Sequence, residues 1–402
     1  MILPKLRTVT RRPRHFFRIA ATCIALCSVV PCGSLHANAL PQDVIQYVGN
    51  FDSADPGLMI APNAGAGTIV PAGVAVNHLG TFDIVINPGV TLAGNAAALA
   101  AFNRAAQKWE AFISDPITVT IDGDLANLGN GITIGATSSV MLQASFNTLR
   151  NRLVADSAAD FNDQINASLP TSAQFTALLP AGFTLTGNVS ATKANLKALG
   201  FAGLDDQFGA SDAAITFNSA VAFDFDNSNG VTAGQVDFET AAIHEIGHAL
   251  GFVSSVDVID VSAPQGISPS VLDLFRFRAG SASDPATAAD FTTFARDLSP
   301  NTNAITDFVL PSSGGGPIEN RMSSGVSTGD GQQAGHWKDD GLTGILIGVM
   351  DPTLASGVVE NISVSDIRAL DLIGYDVVPE PGSAALLLAG LVCLGTRRRI
   401  HF

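Results

Sequence analysis

Between residues 40 and 378 the chain has no cysteine. All four lie near its ends, at Cys23, Cys27, Cys32 and Cys393. A disulfide framework and thiol chemistry are therefore excluded for the body. Basic residues are scarce too, 21 Lys and Arg against 36 Asp and Glu, for a formal charge of −15. Nine of those bases but only one acid, Glu380, lie before residue 40 or after residue 378, so the body carries about −23. A basic footprint for phosphate is missing, which argues against a nucleic-acid partner. Charged residues are only 14% of the chain and hydrophobic ones 47%, a composition that buries a large core and excludes disorder on a large scale.

The two ends read as addresses. Lys5, Arg7, Arg11, Arg12, Arg14 and Arg18 precede an apolar run over 19–30 and then Ala37-Asn38-Ala39. A basic start, a short apolar stretch and an A-x-A site make a secretory signal peptide over 1–39, cleaved after Ala39. The run is too short for a comfortable membrane span. At the far end Pro379-Glu380-Pro381 leads into an apolar run over 382–396 and then Arg397-Arg398-Arg399. Residues 379–402 closely resemble the PEP-CTERM sorting signal of Gram-negative bacteria. That resemblance implies exosortase-type sorting machinery, transient inner-membrane contact and a final place outside the cell or on its surface. A plain membrane anchor is the other reading, and the run is marginal for one.

Residues 241–252 read AAIHEIGHALGF. On a helix His244 and His248, four apart, lie one above the other on one face, so two imidazoles can share one zinc ion. Glu245 stands beside the first, where its carboxylate reaches a water on the metal. This is the H-E-x-x-H arrangement of zinc peptidases. Asp237 or Thr240 caps the helix and Gly251 ends it.

Around this helix the body, 40–378, reads as α+β. The N-terminal subdomain, about 40–251, opens with strands, one at 82–86. A strong amphipathic helix follows over 95–112, with Phe102, Ala106 and Trp109 on one side, then a buried strand over 116–121. Residues 122–204 read as an insertion, with helical runs from Ser139 to about Leu169 and from Ala191 to Leu199. A further strand falls at 213–217. Phe223 to Gly230 has the composition of a calcium loop but misses the EF-hand spacing; it reads first as a polar turn and second as a Ca2+ site at Asp224, Asp226 and Asn229. The C-terminal subdomain, about 252–378, is irregular, with a strand at 272–277 and a closing helix over 362–375 capped by Ser363 or Ser365.

Catalytic zinc takes three protein ligands and keeps one position open. The position where a short-spaced metzincin would place its third ligand holds Ser254, which serves poorly. Asp257 and His336 remain, since His78 in its apolar stretch reads as structural. Distance along the chain is no obstacle to His336, because loop-closure entropy grows only logarithmically.

HEIGHALGF, a remote His in Gly335-His336-Trp337-Lys338, and a Met in Val349-Met350-Asp351-Pro352 together resemble the leishmanolysin branch of metzincins. The resemblance spans about 235–378 at motif level and does not cover 122–204. It implies a twisted sheet with long helices, His244, His248 and His336 as zinc ligands, Glu245 as general base, and Met350 as the Met-turn under the metal. The cysteines of leishmanolysins are absent, as is a tyrosine two residues after Met350, where Pro352 stands. Without cysteine, latency by a cysteine switch is excluded. The chain as a whole resembles PEP-CTERM-sorted bacterial metalloproteases. The expected function is a secreted zinc endopeptidase acting on protein or peptide. The alternative is a non-catalytic extracellular matrix or surface protein with a structural metal site, which would leave Glu245 idle.

Overall fold

The computed structural model describes residues 46–52, 59–60, 82–129, 132–158, 163–280, 282–301, 306–311 and 317–378. The leader at 1–39, His78 and the segment 379–402 lie outside the described residues. Among the described residues no helix is long and apolar enough to cross a membrane.

Alternation of apolar and polar residues builds a six-stranded sheet from β1 (Gln46–Asp52), β2 (Asp83–Pro88), β3 (Thr118–Ala126), β4 (Gly135–Ser145), β5 (Asn188–Thr192) and β6 (Ala213–Asn218). Its order is β1-β4-β6-β3-β2, with β5 also paired to β4. β2, β3 and β6 are parallel, whereas β4 runs antiparallel to β6, β1 and β5. The chain is thus mixed α and β around a mixed sheet, in keeping with the expected α+β class.

Helix α1 (Ala96–Glu110) starts on an Asn95 cap and buries Ala98, Ala101, Phe102, Ala105, Ala106 and Trp109, the stripe its periodicity predicts. On β3 every second residue is buried, and at Gly123 a Cβ would stand 2.6 Å from the Phe102 ring, so the missing side chain lets the helix approach. Phe102, Phe217 and Phe238 then pack ring on ring, Phe102 edge-on to Phe217 at 5.1 Å.

Three sequence expectations need correction. The helical run expected from Ser139 begins only at Phe146: residues 135–145 form β4, hydrogen-bonded along both edges, and the helix α2 (Phe146–Asp156) follows on a Ser145 cap. Pairing with β1, β5 and β6 makes 135–145 a strand against that helical expectation. The stretch 122–204 is accordingly threaded through the sheet and not appended to it. The helix expected over 191–199 is shortened to α3 (Lys193–Ala198), because 188–192 pairs with β4. The strand expected over 272–277 is a 3₁₀ turn at Leu272–Phe275 followed by β7 (Arg276–Arg278). Asp273 causes this: it accepts main-chain N–H groups from Ser255 and Ser270, drawing the chain into a turn.

The remainder, as expected, consists of short pieces. β8 (Thr306–Pro311) and β9 (Pro317–Met322) extend β7 into a small sheet. Arg276, almost fully buried, donates to the carbonyls of Ala334 and Ser323 and so holds the loop that leads to His336.

Candidate metal centre

Helix α4 (Phe238–Leu250) carries the two histidines of the motif. Asp237 caps it by accepting from the Thr240 N–H, and Glu239 in its first turn takes Arg104 at 2.7 Å and Lys108 at 2.8 Å from α1. Trp109 Nε1 donates to the Ile243 carbonyl at 2.9 Å, which fixes the helix on α1 one residue before His244. Gly251 ends it at φ +124°, a conformation that favours glycine. The chain turns back there, and the Phe252 carbonyl accepts from His248 Nδ1 at 2.7 Å.

His336 arrives from 88 residues away along the chain and completes a triangle. The Nε2 atoms of His244, His248 and His336 are each 3.1 Å from the other two. Each ring turns its other nitrogen to a main-chain carbonyl: His244 to Val349 at 2.7 Å, His248 to Phe252, and His336 to Gln333 at 3.3 Å. A carbonyl only accepts, so Nδ1 carries the proton and Nε2 presents a lone pair. Burial pushes all three imidazoles below their usual range, His248 to about 4, and their mutual repulsion adds to this for His244 and His336. Three neutral rings with lone pairs converging on one point repel one another unless a cation lies between them. Nitrogens bound tetrahedrally at about 2.0–2.1 Å stand roughly 3.3–3.4 Å apart, close to the spacing found here. The donor set fits a zinc-type ion. His244 and His336 are closed to solvent, while His248 is partly open.

Glu245 is fully buried and faces β4. Thr137 Oγ1 lies 2.6 Å from Glu245 Oε2 and donates to it, and a Cβ on Gly135 would stand 2.7 Å from Oε1. Strand β4 therefore positions this carboxylate through one hydroxyl and one absent side chain. Neither residue was singled out from the sequence, because the stretch was read as an insertion.

Met350 is fully buried against Gly247, between the two histidines of the helix; a Cβ on Gly247 would run into Met350 Sδ. Its neighbour Val349 supplies the carbonyl for His244, so this turn packs on the helix at Gly247 and orients one of its imidazoles. Asp366, in helix α5 (Val364–Leu372), ties this turn down. Its carboxylate accepts from the Val349 N–H at 2.9 Å and from Trp337 Nε1 at 2.8 Å, linking the Met turn to the residue after His336.

Asp257, the alternative ligand, stands outside the triangle. Its carboxylate accepts from the main-chain N–H groups of Ala334, at 2.6 Å, and Gly335, at 3.1 Å. It holds the loop that delivers His336, and the three-histidine group excludes it. Ser254 is no ligand either; it donates to Asp273 at 2.6 Å. The calcium candidates Asp224 and Asp226 accept from main-chain N–H groups of their own loop. Asp224 accepts from the N–H groups of Asp226 and Thr232, Asp226 accepts from that of Ser228, and Asn229 is exposed, as in a polar turn. Tyr375 is core, with its hydroxyl donating to the Leu250 carbonyl.

No family model, curated protein or solved structure matches this chain.

Proposed function

We propose that the chain is a secreted zinc endopeptidase of metzincin type with a leishmanolysin-like ligand layout. One observation carries the reading: the Nε2 atoms of three imidazoles converge 3.1 Å apart, and the helix that carries two of them also carries the buried carboxylate of Glu245. His244, His248 and His336 would hold the metal. A bound zinc ion supplies a Lewis acid for the scissile carbonyl and lowers the pKa of water to about 7. Glu245 is the general base: it takes a proton at its carboxylate and returns it to the leaving amine nitrogen. Thr137 fixes Oε2 for that transfer, and the carbonyls of Val349, Phe252 and Gln333 keep the three Nε2 atoms unprotonated.

The reading as a structural metal site asks for a fourth protein ligand. Among the described residues the group numbers three, and its exposed edge lies at His248. Export follows from the sequence ends, and the partners are a protein or peptide substrate and the sorting machinery. A form ending near Val378 should then accumulate outside the cell.

The test is zinc content and casein hydrolysis of the secreted protein, with and without a chelator. Glu245→Gln should keep the zinc and lower turnover by about 10²–10⁴-fold. Undiminished hydrolysis by that variant would overturn the mechanism.

A further inference from the structure

His336 is followed by Trp337, one of two tryptophans in the chain, and its side chain is fully buried. A bulky ring in that place could be core filling and nothing more. Its contacts are more particular. Nε1 donates to Asp366 Oδ1 at 2.8 Å, and the ring stands edge-on to Phe252, with centroids 4.9 Å apart and planes at 73°.

Each of these neighbours serves another histidine. Asp366 Oδ2 accepts from the Val349 N–H at 2.9 Å, and the Val349 carbonyl accepts from His244 Nδ1. The Phe252 carbonyl accepts from His248 Nδ1. Both carbonyls lie outside helix and strand, so regular main-chain hydrogen bonding does not fix them. Trp337 itself is tied at both ends: its N–H donates to the Met350 carbonyl at 3.0 Å, and its carbonyl accepts from Ser323 Oγ at 2.9 Å. The space around Asp366 is filled. The Ser363 N–H donates to Oδ2 at 2.7 Å, and a Cβ on Gly348 would run into the carboxylate. Three short routes therefore lead from one side chain to three rings. One is the peptide bond to His336, one passes through Asp366 and Val349 to His244, and one passes through Phe252 to His248.

We propose that Trp337, held by Asp366, is a positioning residue for the whole metal centre and sets the directions of all three imidazoles together. The inference rests on the reading of His244, His248 and His336 as metal ligands. An imidazole bonded through Nδ1 to a carbonyl turns only as far as that carbonyl moves, so loosening the indole disturbs every ligand. Trp337 and Asp366 should then act as one unit.

Two variants of the full chain test this. Asp366→Asn keeps the shape but turns one accepting oxygen into a donor, which must face an N–H. Trp337→Phe keeps a ring toward Phe252 and removes the donor. Leu149→Ala, a core truncation in α2, is the control for general loosening. Chelator competition gives the zinc affinity, and visible absorption of the cobalt-loaded protein reports how the ligands are arranged. Each variant should bind zinc about 10–100-fold more weakly and shift the cobalt band. The double variant should lose about as much as the worse single one, because both cut the same bond. Leu149→Ala should lower the Tm and leave affinity and band as in wild type. If Trp337→Phe does not fold, Asp366→Asn decides, since it changes no volume. Wild type that takes up neither metal would overturn the zinc reading, and this inference with it. Wild type that binds, with the variants matching it in affinity and band, would overturn the inference alone. So would a control that loses zinc as they do, or losses that multiply in the double variant.

Discussion

Asp257 and His336 are the two residues between which sequence reasoning had to choose a third ligand, and in the fold they cooperate. His336 enters the triangle, while Asp257 grips the two N–H groups just before it. Burial pushes the Asp257 carboxyl up to about 7 and those N–H groups draw it back. An amide offers one accepting oxygen where the carboxylate offers two. Asp257→Asn should therefore loosen His336 and weaken zinc binding by about 10–100-fold, the usual effect of losing support behind a ligand. His336→Ala should remove binding altogether at nanomolar zinc. Competition with a chromogenic chelator measures both, and equal losses would mean that Asp257 is itself a ligand.

At the level of elements, α4 and the Met turn meet at Gly247. In a solvated helix, replacing glycine by alanine gains roughly 1 kcal/mol from propensity. Here the new methyl would drive into Met350 Sδ, with Trp109 on the same side. The turn has little room to retreat, because Asp366 holds the N–H of Val349 and Met350 accepts at its carbonyl from the Trp337 N–H. Gly247→Ala should thus destabilise the protein, by about 1–3 kcal/mol as overpacking commonly does. Urea denaturation gives the sign directly; a stabilised variant would show that the methionine moves freely.

Across the whole molecule, the last described residues return to the turn between α1 and β3. The Val378 N–H donates to the Phe112 carbonyl and the Ser114 N–H to that of Asp376, while Asp115 accepts from the Asp376 N–H at 2.9 Å. Burial, and then the charge of Asp376, push the Asp115 carboxyl up to about 8. The unfolded chain loses this proton near pH 4 and the folded chain holds it until about pH 8, so stability is full below pH 4 and falls as pH rises through that window. Asp115→Asn keeps an acceptor for Asp376 and removes the titration. Its Tm should match wild type at pH 4 and exceed it by several degrees at pH 8. Parallel melting curves at both pH values would refute the assignment.

Local information was enough for whatever depends on a few neighbouring residues. The spacing of His244 and His248, the caps at Asp237 and Ser363, the glycine ends at Gly251 and Gly374, and the buried stripe of α1 all follow from periods and turn chemistry within about one or two helical turns. What failed was set by partners far along the chain. Residues 139–145 form a strand because β1, β5 and β6 offer hydrogen-bonding edges, and no local pattern announces those edges. Thr137 meets Glu245 across 108 positions for the same reason. His336 was legible as a chemical type, but its place beside the other two histidines depends on Asp257, Arg276 and Asp366 holding the loop and the Met turn. Side-chain identity can be read one residue at a time. The meeting of three lone pairs at one point is a property of the packed chain, because only packing confines each ring to a single orientation.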